Sequence, residues 1–329
     1  MTTPSFSYPV RREAALEYAG GNGAAQLMDL YLPHTGATSV PVVIWLHGGG
    51  WFTGDRTLAP DLAATAARTG IAFASIEYRL SGEATFPAPL DDVIAAIRHL
   101  RIHGSQWGLD AERIGLWGAS AGAHLAALSA LTASSAEADA PADAQVSCVV
   151  ACYPPVDLEL IINQRPAGKT WDQTPEGRLL GVEPNTAAGQ AIARAANPLT
   201  HLSAQAPPFL LCHGTADVLV PHLHSQKLFD QLQSAGVHAR LYLLEGYRHG
   251  FVNPPGRLDV EIAAVMDDGR LETEVSAAAV AQVTGHPDSQ DVFFGFTDIE
   301  NFLSERLGVS DSNPQTTTRP LTTSGDIPS

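Results

Sequence analysis

Apolar residues in this chain follow two rhythms. Val40 to Leu46 and Ile71 to Ile76 are unbroken apolar runs, as expected of strands buried on both faces of a parallel sheet. Ala25 to Leu32 alternates apolar and polar residues, the pattern of a half-exposed strand. Arg113 to Trp117, Val146 to Tyr153, Phe209 to Cys212 and Ala239 to Leu244 read as further strands. Between them the spacing changes. Leu90, Val93, Ile94, Ile97 and Leu100 fall on one face of a helix over 89–103. Ala59–Thr69, Ala121–Thr132 and Leu223–Ala235 also read as helices, and a last amphipathic helix spans about 297–307. Strands alternating with helices over this length predict an α/β protein with a mostly parallel sheet and helices on both faces.

Three stretches break the alternation. Residues 154–207 are rich in Pro, Gly, Asn and Ala and carry no strand signal, so they predict a small inserted cap. Residues 254–291 form a second insertion. Its middle, 260–283, is Ala-rich and is expected to be helical, with Ile262, Val265 and Met266 on one side. From 310 to 329 the chain is Ser/Thr/Pro-rich and predicts a disordered tail, leaving 1–309 as a single domain.

Composition narrows the function. Only 16% of the 329 residues are charged, against about 25% in an average soluble protein. The 45% of strongly apolar residues can build a large core. The balance of 19 basic to 35 acidic residues gives a net charge of −16, which argues against nucleic acid and against an anionic membrane surface as partners. No stretch of about 18 apolar residues offers a membrane span, and the first twenty residues lack a secretory apolar core. The expected location is the cytoplasm. Cys148, Cys152 and Cys212 each sit in an apolar run and read as buried free thiols. With no H-E-x-x-H, C-x-x-C or post-strand G-x-G-x-x-G, no metal or cofactor is expected.

The candidate chemistry lies at strand ends. Gly118-Ala119-Ser120-Ala121-Gly122 follows one strand and opens a helix, the setting of a nucleophile elbow. There the Ala121 N–H, at a helix start, can face a developing oxyanion. His47-Gly48-Gly49-Gly50-Trp51 follows another strand. Bare glycine N–H groups suit anion binding, so Gly49 and Gly50 are expected to join Ala121 as oxyanion donors, with His47 bracing the loop. Trp51 and Phe251 are candidates for the pocket wall, with ordinary packing the equal alternative for Trp51. A serine nucleophile needs a base, and the base needs an orienting carboxylate. Among 12 histidines, His249 in YRHGF follows a strand, as does Asp217 in HGTAD. The chain order Ser120, Asp217, His249 is that expected of an α/β-hydrolase. His213, His222, His224 and His124 are weaker candidates; His286 is the rival base, and Asp157 is the runner-up acid, read as a helix cap.

Together these motifs resemble the acetyl-esterase/lipase group of α/β-hydrolases. They are HGGGW (47–51), EYRL (77–80), FPAPLDDV (86–93), IGLWGASAGAHLA (114–126), YPPVDL (153–158), PPFLLCHGTADVLVP (207–221) and YRHGF (247–251). The chain is similar to hormone-sensitive-lipase-like esterases, and closer to the bacterial feruloyl/acetylxylan-esterase-like branch. It differs from the former in having Ala119, not Asp, before the serine. The resemblance implies an α/β-hydrolase fold and a serine carboxylic-ester hydrolase. Its expected substrates are small-molecule short-chain acyl or aryl esters, acetylated or feruloylated carbohydrates among them. An amidase or arylformamidase using the same triad is the alternative, with a non-catalytic ligand receptor on the same fold behind it. A homodimer is left open as a partner. The second insertion is expected over the pocket mouth or at such an interface, with a solvated surface excursion as the equal alternative.

Overall fold

The computed structural model describes residues 7–21, 24–135, 140–163, 170–256 and 263–309. Ten strands run along the chain: β1 (Val10–Gly21), β2 (Ala24–Pro33), β3 (Val40–Leu46), β4 (Ala72–Ile76), β5 (Leu109–Ala119), β6 (Cys148–Cys152), β7 (Phe209–Gly214), β8 (Ala239–Leu244), β9 (Ala277–Val283) and β10 (Gln290–Phe294). They form one sheet in the order β1-β2-β4-β3-β5-β6-β7-β8-β9-β10. The stretch from β4 to β8 is parallel, while β1, β2, β9 and β10 add antiparallel edges.

The unbroken apolar runs are buried on both faces because successive side chains point to opposite sides. Val42, Ile44 and Leu46 of β3 enter one core, and Val43 and Trp45 the other. Nine helices accompany the strands among the described residues: α1 (Leu62–Thr69), α2 (Ala88–His103), α3 (Ala121–Ala133), α4 (Leu158–Asn163), α5 (Pro175–Leu180), α6 (Ala187–Ala195), α7 (Leu223–Ser234), α8 (Arg270–Glu274) and α9 (Phe296–Arg306). Leu90, Val93, Ile97 and Leu100 of α2, the α3 residues and Leu228 and Leu232 of α7 fill the first core. Leu62 and Ala66 of α1 and Ile299, Phe302 and Leu303 of α9 fill the second. Helices therefore cover both faces, and the architecture is that of an α/β-hydrolase. The 154–207 stretch carries α4, α5 and α6 and no strand among its described residues.

Two departures from the sequence expectation have physical causes. First, β1 carries Arg11, Arg12, Glu13 and Glu17, charges that mask a strand pattern. An edge strand can keep such residues in solvent. Its register shifts between Glu13 and Leu16, where Ala15 takes φ +54° and donates its N–H to buried Asp29 at 2.8 Å. Second, residues 277–283, expected to be helical, are strand β9, antiparallel to β8. Ala277, Ala279 and Ala281 are buried, while Ala278 and Val280 are exposed, a period of two. Alanine is the best helix former, but intrinsic propensity is a weak preference that pairing with a buried neighbouring strand overrides. Among the described residues the helical part of the insertion is a short 3₁₀ turn, Ala263–Val265, and α8; residues 257–262, Ile262 among them, and the 310–329 tail lie outside the described residues.

Candidate active site

Ser120 sits between β5 and α3 with φ +53° and ψ −119°, a left-handed backbone that a non-glycine residue holds only under constraint. The constraint is local. The Ser120 N–H donates to Cys152 O at the end of β6, at 2.9 Å. The following turn presses against β3 so closely that a Cβ on Gly122 would lie 2.1 Å from Leu46 O. Only glycine permits that approach of helix to strand, which fixes the serine at the sheet's C-terminal edge.

His249 lies five residues beyond β8 and Asp217 three beyond β7. Their loops are laced together, since Thr215 N–H donates to Leu244 O and Ala216 N–H to Tyr247 O, each at 2.9 Å. The side chains form one hydrogen-bonded chain. The Ser120 Oγ–H donates to His249 Nε2 at 2.8 Å, and His249 Nδ1–H donates to Asp217 Oδ2 at 2.6 Å. The tautomer follows from the partner, because a carboxylate only accepts. Asp217 also receives the Leu219 and Val220 N–H groups, each at 2.9 Å. Burial alone would raise the Asp217 carboxyl, but the adjoining His249 and His213 outweigh it and hold it well below the usual carboxylate range. The arrangement can move a proton from Ser120 Oγ to an imidazole whose cation is stabilised by a fixed, ionised acid.

The glycine loop is beside this serine: a Cβ on Gly48 would lie 3.4 Å from Ser120 Cβ. Gly49 has φ +117°, and its missing side chain leaves room for Thr53 O, 2.1 Å from where a Cβ would stand. His47 stacks on Tyr78, with ring centres 4.4 Å apart, and its carbonyl accepts from Tyr78 Oη at 2.9 Å, so it braces the loop. Ala121 opens α3, next to Ser120.

Trp51 and Phe251 depart from the pocket-wall expectation. Trp51 is 1% exposed and donates through Nε1 to His124 Nδ1 at 3.3 Å. Phe251 is wholly buried against Tyr153 and Tyr247. Both therefore support loops from inside. The rival histidines are elsewhere. His286 is in the exposed turn between β9 and β10. His124 is buried and donates to Ala196 O at 2.7 Å; burial pushes its pKa down to about 4. His224 is likewise buried, accepts the Asp157 N–H at 3.1 Å and is lowered to about 4. Asp157 caps α4 through the Leu160 N–H at 3.0 Å and pairs with Lys227, away from the imidazole.

Two neighbours of the site have contacts that the sequence did not assign: His213, a weaker candidate for the base, and Tyr153. His213 is wholly buried, with Nε2–H shared between Val220 O at 2.8 Å and Asp217 Oδ2 at 3.3 Å, and Nδ1 accepting from Ser225 Oγ at 2.7 Å. Tyr153, at φ +43°, lays its ring 4.6 Å from the His249 ring. The position of His213 inside a strand end masks its role, and nothing local to Tyr153 announces a left-handed backbone.

The family model described as BD-FAE matches residues 28–232. The chain belongs to the BD-FAE family. The match contains Ser120 and Asp217 and ends before His249. A probable carboxylic ester hydrolase of Mycobacterium tuberculosis, LipM, is 32% identical over 231 residues, covering 68% of this chain and 52% of the relative. The chain thus spans about half the length of that curated relative. Among solved structures, a truncated carbohydrate esterase from gut microbiota superposes with a TM-score of 0.67 at 23% identity, over 92% of this chain and 98% of that one. An acetyl ester-xyloside bifunctional hydrolase from Caldicellulosiruptor lactoaceticus gives 0.56 at 26% identity, over 70% and 81%. The fold thus has solved counterparts among esterases. Among the described residues no helix is long and apolar enough to cross a membrane, and no cluster of three or more His, Cys, Asp or Glu could hold a metal ion.

Proposed function

We propose that this BD-FAE member is a serine carboxylic-ester hydrolase acting on short-chain acyl or aryl esters, acetylated or feruloylated carbohydrates among them. The observation that carries the reading is the Ser120–His249–Asp217 chain, at 2.8 and 2.6 Å, on a serine held at φ +53°. Ser120 Oγ attacks the ester carbonyl carbon as His249 Nε2 takes its proton. Asp217 keeps the imidazole in the required tautomer and stabilises the cation. The N–H groups of Gly49, Gly50 and Ala121 hold the tetrahedral oxyanion. His249 then protonates the leaving alkoxide, freeing the alcohol and leaving an acyl ester on Ser120. Water, deprotonated by the same imidazole, attacks that ester and releases the carboxylic acid.

The substrate class draws on the relatives named as carboxylic ester hydrolase and carbohydrate esterase. The acidic balance of the chain suits a small uncharged ester better than a nucleic acid. A panel of p-nitrophenyl esters from acetate to dodecanoate, with acetylated xylan, methyl ferulate and N-formylkynurenine, tests it. Turnover should be highest from acetate to butyrate and fall steeply by octanoate. Preference for dodecanoate or a triolein emulsion contradicts the chain-length reading, and preference for N-formylkynurenine contradicts the ester reading.

A further inference from the structure

His249 stands on a short loop between two glycines of left-handed backbone, Gly246 at φ +67° and Gly250 at φ +83°. Glycine rotates freely at such positions, so the peptide that carries the imidazole needs outside restraint. On one side the restraint is the acid loop, through Tyr247 O. On the other it comes from the second insertion. Asp267 grips the loop twice: its N–H donates to His249 O at 2.8 Å, and its Oδ2 accepts the Arg248 N–H at 2.7 Å. The two partners lie on either side of the Arg248–His249 peptide. Residue 266 also bridges to His249 in parallel β fashion.

Asp267 is itself held. Arg270 donates to Asp267 Oδ2 and to Gly246 O, each at 2.9 Å, and its guanidinium carbon is 3.9 Å from the centre of the Tyr247 ring. The Arg270 Nε–H donates to Glu274, which also accepts from Tyr247 Oη at 2.7 Å. Further on, Gly269 N–H donates to Asn253 O at 2.9 Å. From Gly246 to Asn253 the loop is thus stitched to residues 266–274.

We propose that Asp267 and Arg270 are positioning residues for His249, and that residues 266–274 act as a strap that keeps its imidazole in line with Ser120. The inference rests on the reading of Ser120 and His249 as nucleophile and base. A pocket cover or a dimer contact would not require paired bonds on both sides of the histidine's own peptide. A misplacement of about 1 Å in a catalytic group costs about 100-fold in rate. Asp267→Ala and Arg270→Ala should therefore lower kcat by about 10- to 100-fold while KM changes little. Asp267→Asn, whose amide oxygen can still accept from Arg248 and Arg270, should restore most of kcat.

The second measurement is the low-field proton resonance of the His249 Nδ1–H bonded to Asp217, read at neutral pH on the full chain. It should broaden or vanish in Asp267→Ala and persist in Asp267→Asn. Unchanged kcat in both alanine variants overturns the strap. So does a kcat loss that Asp267→Asn fails to restore, or an unaltered resonance in Asp267→Ala. Because the resonance reports the histidine's placement and not turnover, it judges the strap even where the ester panel fails. A wild type that hydrolyses no ester contradicts the function alone.

Discussion

Gly49 and Gly50 lack the same side chain but face different neighbours. A Cβ on Gly49 would meet Thr53 O at 2.1 Å, and backbone cannot step aside without moving the loop. A Cβ on Gly50 would meet Phe52 Cε1 at 2.8 Å, the end of a side chain that can turn. Gly49→Ala should therefore lower kcat by about 10²-fold or more through a displaced donor, with Gly50→Ala much milder. Steady-state kinetics on p-nitrophenyl acetate checks the order, and equal effects would contradict it. Ser120, Asp217 and His249 were legible in the sequence because each stands just beyond an apolar strand, in a short run of glycine and polar residues. His213 and Tyr153 were not: His213 meets Asp217 only because the turn after β7 folds the carboxylate back four residues on, and Tyr153 meets His249 only because the sheet order places β6 and β8 either side of β7. Trp51 shows a further limit: its place in the motif was plain, but its direction, inward to His124, depends on a backbone of φ +61°.

At the level of elements, β9 gives the clearest test of pattern against propensity. Ala279 is buried against the second core and Ala278 is exposed. Ala279→Asp should destabilise by about 2 kcal/mol or more, as an unpaired buried charge does. Ala278→Asp should stay within about 0.5 kcal/mol. Urea unfolding midpoints measure both, and equal losses would contradict the two-residue period. The central strands β3 to β8 were legible because parallel strands buried on both faces leave long apolar runs. The edges were not. β1 is charged, β9 is alanine-rich, and β10 offers only five residues with two polar ones at its start. Their pairing is decided by the neighbour they meet, which no local pattern records. The strap of residues 266–274 was unreadable for the same reason, being defined by its bonds to a loop rather than by its own periodicity.

For the whole molecule, buried histidines set the response to acid. His124 and His224 have folded pKa values of about 4, below the ordinary histidine value, because burial disfavours their charge. The unfolded chain therefore binds their protons first. Stability from this source is full above about pH 6.5 and is lost as pH falls through the folded values. The depressed Asp217 carboxyl acts in the same sense, lower still on the pH scale. Between about pH 6 and pH 4 unfolding should ease by up to about 3 kcal/mol per pH unit, two protons' worth. Thermal midpoints across that window should fall steadily, and less steeply in His124→Gln; a flat profile would contradict the assignment. Above this window the molecule stands or fails on the reactivity of one serine. The most direct measurement is labelling of the full chain with a fluorophosphonate, followed by mass mapping of the adduct. The account predicts a single adduct on Ser120, at a rate that falls by orders of magnitude in His249→Ala and is unchanged in His286→Ala. An adduct on another residue, or full-rate labelling without His249, would contradict it.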